Sequence, residues 1–140
     1  MSADLYSINS QLWQIQSSIW ASKQQLEQKK EELRRLMQAL SDLRQNKSDF
    51  ITMKRICIEP ELTPKTLHGD HANKLDTFRK NELQVSFLAI PNEQISSAET
   101  TISNKILSVQ NEIAALESSI AGLESSYAYL VNQKQILEKA

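Results

Sequence analysis

The feature that most limits what this chain can fold into is a seven-residue rhythm of apolar side chains. Leu5, Ile8, Leu12, Ile15 and Ile19 step alternately three and four residues apart. After Ser22 the series resumes at Leu26, passes Lys29, and runs through Leu33, Leu36, Leu40 and Leu43 to Lys47 and Phe50. Steps that average 3.5 residues place these side chains on one stripe of an α-helix, whereas a half-buried strand would alternate every second residue. Gln, Ser, Lys, Glu and Arg fill the positions between, and most of them favour or tolerate a helix surface. The spacing predicts one helix over residues 4–50.

The last third repeats the rhythm. Ile102, Ile106, Val109, Ile113, Leu116, Ile120, Leu123, Tyr127, Leu130 and Leu137 share a stripe, with Lys134 as its exception. Pro91 lacks an N–H and crowds the preceding turn, so it either kinks a long helix or starts one. Between the two rhythms, Pro60, Pro64 and Gly69 break the helical pattern. This predicts a turn region over 51–70, a second helix over 71–90 striped by Leu75, Phe78, Val85 and Leu88, and a third over 91–139. The fold expected is a single all-α domain, a long antiparallel helical hairpin with a broken or kinked second arm. Composition agrees, because two glycines in 140 residues are too few for a β-sandwich, a phosphate-cradling loop or a doubly wound α/β domain. Of those two, Gly122 is expected to be a tolerated glycine on the outside of a helix.

Charge sets an expected register. With Leu12 at heptad position a, Lys23 and Lys30 fall at e; with Leu116 at d, Glu117 and Glu124 fall at e. In an antiparallel pair e faces e, which predicts Lys23 beside Glu124 and Lys30 beside Glu117. The seam lysines 29, 47 and 134 either specify register, reach a partner's acid, or snorkel outward.

The outward face carries the functional signal. Tyr6, Trp13 and Trp20 recur every seven residues at position b, and Ala114, Ala121 and Ala128 occupy b on the C-terminal helix. An aromatic ridge beside a small-residue groove is a surface for another helix, and Trp and Tyr are common anchors in such interfaces.

A family resemblance lies at the turn. The stretch LTPKTLHGDHANKLDTFRKNEL resembles the Trp-x-Gly region of the YwqH-like proteins, small helical relatives of the WXG proteins of type VII secretion. The heptad helix before it and the run EIAALESSIAGLESS after it extend the likeness over most of the chain. Leu67 stands where the motif has tryptophan, Gly69 keeps its glycine, and Phe78 follows at helical spacing. The resemblance implies a non-enzymatic adaptor, or targeting chaperone, for the N-terminal helical domain of an LXG-type toxin. It also implies a second small helical protein, and a chain that is cytoplasmic or co-exported with its client without a cleaved signal. Such families often end in a Tyr-x-x-x-acid export signal; Tyr127 and Tyr129 are followed by Val131 and Gln133 instead. Phe78 and Glu82 have that spacing, but near the turn.

Other chemistries have little to stand on. The net charge of -1 gives no electrostatic case for nucleic acid. The uncharged stretch 5–22 is interrupted by Asn and Gln and reads as neither signal peptide nor membrane span. His68, Asp70 and His71 read as a solvated helix cap rather than a metal site, and Cys57 as a small hydrophobe. No catalytic residues and no cofactor are expected. A rival to the adaptor is a self-assembling coiled-coil scaffold or spacer, for which a homo-oligomer in isolation is the signature.

Overall fold

A computed structural model of the chain describes residues 2–53 and 70–139. Its elements are helical throughout: α1 (Ser2–Thr52), α2 (Asp70–Phe78), a π turn (Arg79–Leu83), α3 (Gln84–Ala89), a second π turn (Ile90–Ile95) and α4 (Ser96–Lys139). The all-α hairpin expected from the heptads is the observed fold class. Leu67 and Gly69 of the turn motif lie outside the described residues, as do His68 and Cys57.

The chain divides into two compact units, Met1–Arg35 with Ile106–Ala140 and Leu36–Lys105. In the first, α1 and α4 run antiparallel: Lys23 meets Glu124 at 3.3 Å, and further along Lys29 meets Glu112 at 2.6 Å. The side chains withdrawn from solvent in this stretch of α1 are Leu5, Ile8, Leu12, Ile15, Ile19, Ser22, Leu26, Lys29 and Leu33, joined by Glu31 and Glu32. That is the predicted seam, residue for residue, plus two acids held by local ion pairs. On α4, Val109 is fully buried and Ile120 nearly so. Burial of such side chains supplies about 25 cal/mol per Å² of apolar surface, which the surface charges do not approach. Gly122 faces open space, with nothing within 4 Å of where a Cβ would stand.

In the second unit the seam includes Leu36, Leu40, Leu43, Lys47 and Phe50 of α1. Phe50 packs against Phe87 with ring centroids 5.6 Å apart. Of the expected stripe of the second helix only Leu88 is withdrawn from solvent. Leu75, Phe78 and Val85 are exposed, whereas Arg79, Pro91 and Ile95 are buried. The reason is the pair of π turns. Each carries an extra residue in the turn, and Gln84 donates its backbone N–H to the Arg79 carbonyl five residues back. The covered positions step by five from Arg79 to Gln84, then include all of 87–91 and Ile95 before the heptad rhythm resumes in α4.

Pro91 sits at the start of the second π turn, inside a continuous helical run. A polar network secures it. The Ser96 hydroxyl donates to the Pro91 carbonyl at 3.1 Å and accepts from the Lys47 ammonium at 3.0 Å. Lys47 also lies 3.2 Å from Glu99 Oε1, and Arg44 Nε lies 3.6 Å from Glu99 Oε2. Oε1 is buried and accepts no hydrogen bond of good geometry among the described residues, so the ammonium compensates it by charge.

Candidate protein-binding face

The geometry of the face follows from the Lys23–Glu124 pair. Both residues were expected at e, and their contact shows that the e edges of α1 and α4 adjoin in the first unit. Position b lies next to e around each helix, so Tyr6, Trp13 and Trp20 flank this edge on one side and Ala114, Ala121 and Ala128 on the other. All six are exposed. Tyr6 is 78% exposed, Trp13 69% and Trp20 67%. Trp13 and Trp20 border a shallow groove of ≈ 290 Å³ floored by Gln16 and Ser17.

The pairing also fixes heights. With residue 23 level with 124, Ala128 stands level with Trp20, while Ala121 and Ala114 lie further from the N-terminus. Ridge and alanine row therefore meet only at Trp20. Beyond that point they follow one another along the face rather than lying side by side. Together they span about 27 residues of α1, roughly 40 Å at 1.5 Å per residue.

The second expected pair does not form. Among the described residues Lys30 has no ion pair with Glu117; instead its neighbour Lys29 bridges Glu112 and Glu32. Hydrogen bonds to Glu112 and then Glu32 raise the Lys29 pKa above its ordinary 10.5. A position one residue nearer the seam brings Lys29 close to the other helix, where its long stem reaches along α4 to Glu112. The seam lysines thus find acids within the chain: Lys47 takes Glu99 and Lys134 takes Glu138 at 3.9 Å.

Two exposed groups were not anticipated. Leu107 heads the alanine row at its own b position, and Tyr129 and Ile136 form a pair at c. Their seven-residue spacing was the signal that could have found them. Phe78 is exposed at the end of α2, where it shares a shallow groove of ≈ 330 Å³ with Asn73, Lys74 and Glu82.

On the outer side of α1, Glu31 accepts hydrogen bonds from Arg34 at 2.7 and 2.9 Å and from Arg35 at 3.1 Å. The Arg34 bonds first, then those of Arg35, lower the Glu31 pKa from 4.5 to about 2. A depressed carboxyl pKa adds stability above the unfolded value, and that stability is lost as pH falls from about 4.5 toward 2. Glu31→Gln should flatten this part of the stability–pH curve, measured by thermal melts between those pH values, and leave the curve near pH 7 to 9 parallel to wild type.

Among the described residues no group of three His, Cys, Asp or Glu side chains is placed to hold a metal, and no helix is long and apolar enough to cross a membrane. Compared with family models, with curated proteins and with solved structures, the chain gives no match.

Proposed function

We propose that this protein is a non-enzymatic adaptor whose first unit holds a long helix of a client protein. The observation that carries the reading is the exposed row of Tyr6, Trp13 and Trp20 on a rigid helix, continued by exposed Ala114, Ala121 and Ala128. Large rings left in water at heptad spacing serve no seam among the described residues. They supply anchors of the kind that dominate interface energies, and the alanines let another backbone approach closely. An occupant that covers the whole face needs about 27 helical residues, which suits an elongated helical domain.

The resemblance to the YwqH-like proteins names the client class: the N-terminal helical domain of an LXG-type toxin, presented for type VII secretion with a second small helical protein. The test is co-expression with such a toxin domain followed by size-exclusion chromatography. Co-elution is expected, and the Trp13→Ala/Trp20→Ala double variant should weaken binding at least about 30-fold, since two anchor residues each contribute about 1–2 kcal/mol or more. A chain that elutes alone beside a folded toxin domain overturns the reading. Unchanged binding by a folded double variant removes the ridge from it.

A further inference from the structure

We propose that, in the absence of a client, a second copy of this chain covers the aromatic ridge, in an antiparallel dimer whose two-fold axis passes beside Trp13. The inference rests on the reading of this face as a docking surface and adds what regulates access to it.

Three observations on the ridge point to a copy of itself. The first is symmetry. An isologous interface requires that residue i meet j while j meets i. Tyr6 and Trp20 stand seven residues either side of Trp13. An antiparallel copy centred on Trp13 sets Trp13 against Trp13 and Tyr6 against Trp20 twice over, so every ring finds a ring.

The second is charge. No charged residue lies between Leu5 and Ser22, a stretch centred on the same point. The two-fold lays this uncharged segment on itself. The first charges beyond it are Asp4 at one end and Lys23 at the other. Asp4 falls at g, on the far side of α1 from the ridge, and Lys23 at e is held by Glu124, so the two-fold places no unpaired charge of α1 in the contact. Electrostatics thus permits the contact.

The third is area. The six rings of a dimer are each two-thirds or more exposed, and aromatic side chains bury about 150–250 Å² apiece. Discounted for present burial, they bring roughly 900 Å² to the interface. Gln16, Ser17 and their neighbours carry the total past the about 1,000 Å² that marks a specific association. This copy occupies the ridge and leaves Ala114 and Ala121 uncovered. A client helix, which reaches both, makes the larger contact and displaces it.

Sedimentation velocity of the full chain between about 1 and 100 μM reads the self-association directly. A concentration-dependent dimer is expected, with the dissociation constant raised at least about tenfold by Trp13→Ala/Trp20→Ala. Circular dichroism confirms that the variant is folded. The contact is then mapped with both tryptophans in place, in an Asn9→Cys/Gln16→Cys variant carrying Cys57→Ser. The two-fold brings position 9 of one copy beside position 16 of the other, so a short bismaleimide should yield covalent dimer. A wild-type chain monomeric at 100 μM overturns the proposal, as does a dimer that neither crosslinks here nor weakens in the tryptophan variant. The two readings separate cleanly. Client binding by a monomeric chain removes the self-pairing alone; a dimer that ignores the toxin domain removes the adaptor alone. With both present, added client should shift the dimer to a one-to-one complex.

Discussion

Val109→Asp should cost more than about 4 kcal/mol and unfold the first unit at room temperature. Val109 is fully buried among the apolar residues of the seam. A carboxylate there loses its water, and such a group either stays charged at high cost or takes a proton. Val109→Ala is the milder control. It removes two carbon atoms and should cost about 2 kcal/mol, including the void left behind. Thermal melts followed by circular dichroism distinguish the two. A Val109→Asp chain that melts with wild type would mean that the seam is not closed at this position. The contrast with a ridge residue is informative, because in the monomer Trp13→Ala changes a side chain mostly in water and, at concentrations too low for self-association, should leave stability within about 0.5 kcal/mol.

The second large effect is expected at the second π turn. Lys47→Glu places a carboxylate beside Glu99, whose side chain is only 19% exposed. It also removes the donor to Ser96, which in turn holds the Pro91 carbonyl. Arg44 remains near Glu99 but is largely solvated. The loss should be about 2–3 kcal/mol, below that of a fully buried pair because Lys47 retains some water. Glu99→Lys in the same chain should restore most of it by reversing the pair. Urea melts of the two single variants and the double form a cycle that measures the coupling. Additive losses, with no rescue, would show that the pair contributes no specific interaction.

Much of this was legible from residue spacing. The predicted seam positions of α1 and α4 are all among the side chains that the structure withdraws from water, including the polar Ser22, Lys29 and Lys47. The Lys23–Glu124 contact follows from two heptad assignments and the rule that e meets e. The exposure of Tyr6, Trp13 and Trp20 follows equally from their place outside the seam. Where spacing failed, the backbone had left the 3.6-residue turn. The stripe over Leu75, Phe78 and Val85 assumes an unbroken α-helix, and a π turn at Arg79–Leu83 shifts the phase of everything around it. Pro91 announced an irregularity but not its kind, since a kink, a break and a π turn all relieve its missing N–H.

The sequence by itself determined the helical class, the antiparallel pairing and the seam residues of α1 and α4. These depend on a repeat of seven that one chain carries in its own order. Only the tertiary structure decided the choice of Glu112 for Lys29 and the accommodation of Pro91. Those depend on where a flexible side chain finds its acid and on which helix yields a turn so that both seams can close. Such choices are settled by the packed pair and are not carried by either helix alone.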